Sequence, residues 1–143
     1  MIKVPIKPLS FNLAWRAVPT KNPKVSKNIK SREYRQYEKD VLWFLSPIKG
    51  VDFTLPHYVV YVFHLSSPMA DWDNFIKAFQ DIISAKYGFN DCKIIAGLVL
   101  KTKERKGHES SEFLITNSFE EAMETIRSCH RIHCAVVTER VIK

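Results

Sequence analysis

Four side chains in the stretch 71–91 could act on a phosphate: Asp71, Asp73, Lys77 and Asp91. Asp71 and Asp73 stand two apart, and on an extended segment such neighbours point the same way. Lys77 comes four residues after Asp73, one helical turn further on and on its side of a helix. Asp91 follows the turn signal Gly88-Phe89-Asn90 and directly precedes the apolar run 94–100. Hard divalent cations such as magnesium take oxygen ligands, commonly one or two carboxylates with waters and phosphate oxygens. Two such ions about 3.5–4 Å apart can hold both the attacking and the leaving oxygen of an in-line phosphate displacement. A lysine beside them neutralises charge that grows on the phosphoryl oxygens.

The elements flanking these residues must bring them together. The run HYVVYVFHLS at 57–66 is apolar, β-branched and aromatic, and predicts a buried strand. Phe75, Ile76, Phe79, Ile82 and Ile83 fall at helical spacing and predict a helix over 74–86, with a further strand over 93–103. The acids thus sit where a strand hands over to a helix. A return strand beside the first would bring Asp91 back, so that three carboxylates and one lysine converge at a strand end. The plainer alternative makes Asp73 a helix N-cap, leaves Asp71 on a solvated loop and pairs Lys77 with Asp81 at i,i+4.

Together, Asp71-Trp72-Asp73-Asn74-Phe75-Ile76-Lys77, Asp81 and Asn90-Asp91 resemble the core of the RusA-type Holliday junction resolvases. Upstream, Asn12, Trp15 and Arg16 match the Asn and Arg near that family's first strand. The likeness covers residues 1–117, with 118–143 as a C-terminal helix–strand extension of the same domain. One departure is that the family's paired acids stand here as Asn90-Asp91, with the second acid kept. The resemblance implies a magnesium-dependent endonuclease, with manganese as a substitute, that nicks four-way DNA junctions in recombination and repair. It implies Asp71, Asp73 and Asp91 as metal ligands and Lys77 as the transition-state cation. It further implies a homodimer, since a two-fold junction calls for two nicks on opposing strands. Asn12, Arg16, Lys21, Lys24, Lys27, Lys30, Asn74, Lys101 and Lys103 are the candidate DNA contacts.

At 143 residues, 45% hydrophobic and 12% aromatic, the chain suits one globular α/β (α+β) domain, a small mixed sheet with two to three helices. No run approaches the ~18 apolar residues of a membrane span. Met1-Ile2-Lys3-Val4-Pro5 leads into no apolar signal core, so no secretory leader is expected. Three cysteines, an odd number, suit a reducing cytoplasm better than a disulfide framework. The net charge of +7 is uneven. Residues 1–50 carry eleven Lys/Arg against three acids, 51–100 three against five, and 101–143 eight against seven. A basic first third beside a phosphate-cleaving site points to a polyanion partner, DNA, through phosphate contacts.

Residues 2–9 predict an edge strand, because lysines and prolines alternate with Ile2, Val4 and Ile6. Pro19, Asn22-Pro23 and lysines 21, 24, 27 and 30 make 12–29 an irregular basic loop. Ser31 caps a helix to about Leu45, with Tyr34, Tyr37, Val41, Phe44 and Leu45 as its apolar stripe. Lys101, Lys103, Arg105, Lys106 and Gly107 predict a basic hairpin-like connection to a strand at 113–116. Ser118-Phe119-Glu120-Glu121 is a capping box opening a helix to about Ser128, and 132–142 a last strand. Cys129-His130-Arg131-Ile132-His133-Cys134 carries four soft ligand types, but one short segment does not surround a tetrahedral zinc ion. His57 and His64 flank the buried strand and suit packing. Two rival functions are a dehalogenase-like phosphatase, which needs its D-x-D on the first strand of a parallel sheet, and a non-catalytic basic DNA-binding module.

Overall fold

A computed structural model describes residues 1–19, 26–67 and 69–129, and the backbone of 134–139. The chain opens with β1 (Ile2–Val4) and a short helix α1 (Phe11–Ala14). A hairpin of β2 (Trp15–Pro19) and β3 (Ser26–Lys30) follows, then α2 (Arg32–Phe44) and β4 (His57–Leu65). A 3-10 turn at Asp73–Phe75 runs into α3 (Ile76–Tyr87), and another at Asp91–Lys93 leads to β5 (Ile94–Lys103). The chain continues through β6 (Ser110–Thr116), α4 (Phe119–Ser128) and β7 (Cys134–Glu139).

Five strands form one mixed sheet in the order β1-β6-β4-β5-β7, with β4 and β5 parallel and the other neighbours antiparallel. The second sheet is the β2–β3 hairpin alone. This is the single mixed α+β domain that the sequence predicts. The helices expected at 31–45, 74–86 and 118–128 are all present, and α1 adds a fourth among the described residues. The edge strand near the N-terminus is real but stops at Val4. Residues 15–19 and 26–30 pair as a hairpin where an irregular loop was expected, because Trp15 to Pro19 find partners from Lys30 back to Ser26. Pro19 is the last residue of β2, a strand-end position that proline tolerates.

The connection after β5 is not a hairpin. β6 pairs with β4, so the segment 104–109 carries the chain from β5 across β4 to the opposite side of that strand. Alternation along β4 then divides the core. Val59, Tyr61, Phe63 and Leu65 face α2 and α3, while Val60 packs with Leu98 and Ala122 under α4. Phe79 of α3 is fully buried against the rings of Tyr61, Phe63 and Phe113 at 6.0, 6.0 and 5.6 Å between centroids. On α2, Tyr34, Tyr37 and Val41 are buried as the spacing predicts, but Phe44 turns to solvent in the last turn. His57 is fully buried among Phe53 and Phe89, a packed residue as its strand position suggests.

Local chemistry fixes the helix starts. Ser31 Oγ accepts from the Tyr34 amide at 2.9 Å and donates to the Leu13 carbonyl at 2.7 Å, fastening α2 to α1. At α4, Ser118 Oγ accepts from the Glu121 amide at 3.2 Å, the first half of the expected capping box. Its second half is relayed: Thr116 Oγ1 donates to the Glu121 carboxylate and accepts from the Ser118 amide. Residues 118–128 thereby close the sheet's outer face, and β7 pairs with β5 at its edge.

Candidate functional site

The site is assembled around α3. Trp72 is already helical (φ −66°, ψ −34°), so Asp73 enters a tight turn and the D-x-D pair is not extended as expected. No side chain caps that turn, so Asp73 is not an N-cap either. Asn74 Nδ2 donates to Asp71 Oδ2 at 3.3 Å, which orients the first acid. The helix ends at Gly88, whose φ of +72° is left-handed and whose amide closes on Ser84 at 2.9 Å. Asn90 then caps the short turn that carries Asp91, its Oδ1 accepting from the Cys92 amide at 3.0 Å.

Lys77 is the hub. Its Nζ donates to Asp81 Oδ1 at 2.5 Å and stands 3.7 Å from Asp91 Oδ2. The helical i,i+4 partner expected from the spacing is therefore made, and a partner fourteen residues away is added by the fold. The hydrogen bond to Asp81, with lesser help from Asp91, raises the Lys77 pKa above the ordinary lysine value. Behind Asp91 lies Tyr61, only 1% exposed, whose hydroxyl has no hydrogen-bond partner among the described residues. Burial first, and the Asp91 charge second, push that phenol well above its usual pKa.

The strand register alone sets the two halves of the motif apart, and α3 brings them back toward each other through Lys77. β4 ends at Leu65 beside Lys103, whereas β5 begins at Ile94 beside His57. The segment leading to Asp71 is held at the former end, where Lys101 Nζ donates to the Ala70 carbonyl at 2.8 Å. Asp91 precedes the latter end, and Lys77 on α3 is the residue that reaches it. Among the described residues, no three His, Cys, Asp or Glu side chains form a group able to hold a metal ion. The donors nonetheless suit a hard cation in kind: Asp71, Asp73, Asp81 and Asp91 offer only oxygens, and none is buried. Such an ion would compete with the Lys77 ammonium for Asp81 and Asp91.

The expected DNA contacts are scattered over several elements. Arg16 on the hairpin is exposed and grips Glu33 through two contacts of 3.0 and 3.3 Å. Lys30 Nζ pairs with Glu38 at 2.9 Å and lies 4.9 Å from the Tyr34 ring centre. Asn12, Lys27 and Lys103 are exposed, Asn74 serves Asp71, and Lys101 serves Ala70. Lys21 and Lys24 lie outside the described residues, as do His130 and His133 of the cysteine–histidine cluster. Cys129, half-buried at the end of α4, has its thiol pKa raised by burial and then by Glu112.

Sequence reasoning missed the surface beside Lys77. A cleft of about 490 Å³ opens between the hairpin root, α2 and α3, lined by Trp15, Lys30, Tyr34, Glu38, Asp81 and Gly88 among others. Trp15 stacks on Tyr34 with ring centres 5.9 Å apart and planes 27° apart. The i,i+4 spacing to Lys77 marks Asp81, but nothing in the pattern joins Trp15 to it.

No protein-family model matches this chain, and no curated protein matches it either. The likeness to RusA-type resolvases stands on the motif residues alone.

Proposed function

We propose that the protein is a magnesium-dependent, structure-selective endodeoxyribonuclease that resolves four-way DNA junctions by paired nicks. The observation that carries this reading is the contact of Lys77 with Asp91. It joins D-x-D-N-x-x-K to N-D, two motif pieces separated by a whole helix, around one cation. Asp71, Asp73 and Asp91 would supply oxygen ligands for magnesium or manganese, with Asp81 beside them; the ion would activate water and shield the scissile phosphate. Lys77, protonated at neutral pH, would steady the charged transition state.

The basic hairpin supports a DNA partner, with Arg16 and Lys27 exposed along it. Branched DNA, a homodimer that places two sites on opposing strands, and a cytoplasmic location belong to the same proposal. Among the described residues, no helix is long and apolar enough to cross a membrane.

The rival, a non-catalytic basic DNA-binding module, draws on the Lys77 ammonium standing between Asp81 and Asp91 where an ion would sit. One assay separates the two. The nuclease reading expects magnesium-dependent nicking of a synthetic four-way junction, abolished with retained binding in Asp71→Asn, Asp73→Asn and Asp91→Asn. Junction binding without nicking across magnesium and manganese would leave the binding module.

A further inference from the structure

We propose that the cleft between the hairpin root, α2 and α3 receives one unstacked nucleobase from the DNA branch. This rests on the nuclease reading and names the part of the substrate that the surface beside Lys77 takes.

The cleft has room for a base, at about 490 Å³. Its wall is a half-buried Trp15 backed by Tyr34, itself 1% exposed, at 5.9 Å and 27°. A ring held from behind loses little freedom when a second flat ring stacks on it. At Gly88 an added Cβ would meet nothing within 4 Å, so the cleft is open there.

Charge selects a base over a phosphate. Glu38 and Asp81 outnumber Lys30 among the charged groups of the lining, which disfavours an anion. Lys30 binds one oxygen of Glu38 at 2.9 Å, and Lys77 one oxygen of Asp81 at 2.5 Å. Each carboxylate has a second oxygen suited to the ring N–H or exocyclic amine of a base. Asp81 belongs to both places, lining the cleft and holding Lys77, so a base seated here lies next to the candidate phosphate site. The branch point is also where a base is cheapest to extrude, since it has lost a stacking neighbour.

The test measures binding in EDTA, so that no strand is cut, to an intact four-way junction and to one abasic at its branch-point nucleotides. The wild-type protein should bind the intact junction roughly ten- to hundredfold more tightly, the range of one base–aromatic stack. Trp15→Ala should weaken the intact junction to the abasic level and leave the abasic junction unchanged, while Trp15→Phe keeps most of the difference. Equal wild-type affinity for both junctions overturns the proposal without needing any variant to fold, as does a Trp15→Ala loss that is the same on both. Equal affinity with junction preference retained leaves the nuclease reading standing; absence of DNA binding removes both.

Discussion

Neutralising Asp91 separates a functional carboxylate from a structural one. Its Oδ2 lies 3.7 Å from Lys77 Nζ, with the two side chains 37% and 55% exposed. At that distance two unit charges in water attract by about 1 kcal/mol before salt and side-chain entropy reduce it. Exposed pairs measured in proteins fall at roughly 0.2–1 kcal/mol. Lys77 also keeps its shorter bond to Asp81 in the variant. Asp91→Asn should therefore cost no more than about 0.5 kcal/mol, a shift in Tm of about 2 °C or less for a domain of this size. Loss of a metal-ligating charge beside the scissile phosphate should cut single-turnover nicking by about a hundredfold or more. Thermal unfolding followed by circular dichroism, and magnesium-started cleavage of an end-labelled junction at saturating enzyme, measure the two quantities. Wild-type cleavage would remove Asp91 from the reacting set. A fall in Tm above about 5 °C would instead show that Asp91 holds the fold, and the lost activity would then say nothing about metal.

The same site has a pH signature. The Lys77 pKa is raised, so the stability its pairs contribute is fully present below the unfolded lysine value near 10.4 and is lost only as pH climbs through the higher folded value. A pH–rate profile between 6 and 9 should accordingly show no break from Lys77, and a break removed by Lys77→Arg would contradict its role as a fixed cation. Ser31→Ala removes both the α2 cap and the bond to Leu13, and should cost about 1–2 kcal/mol in urea unfolding; a change under about 0.3 kcal/mol would mean that water replaces the cap. On the hairpin, Lys27 is exposed whereas Lys30 is engaged by Glu38. Lys27→Gln should flatten the slope of log affinity against log salt by about 0.9, and Lys30→Gln by much less. Equal slopes for both variants and wild type would place the hairpin off the DNA path.

The sequence alone determined the elements whose signals are local. The β-branched run 57–65 is strand whatever surrounds it, the stripe Tyr34-Tyr37-Val41 marks one face of α2, and Ser31 and Ser118 announce their helices by the amides they can reach. The pairing of Lys77 with Asp81 belongs to the same class, because four residues on a helix always bring two side chains together. Tertiary structure decided the rest. Pairing of 15–19 with 26–30 depends on partners that are not neighbours along the chain, so the prolines and lysines of that stretch read as loop until the opposite strand is present. The choice of β4 rather than β5 as the partner of β6 depends on which edge is free when the chain returns. The turn at Asp73 overrode the extended geometry that D-x-D suggests. Contacts such as Lys77 with Asp91, or Trp15 on Tyr34, join residues whose separation along the chain has no period. Only the packing of α3 on the sheet, and of the hairpin root on α2, makes them neighbours.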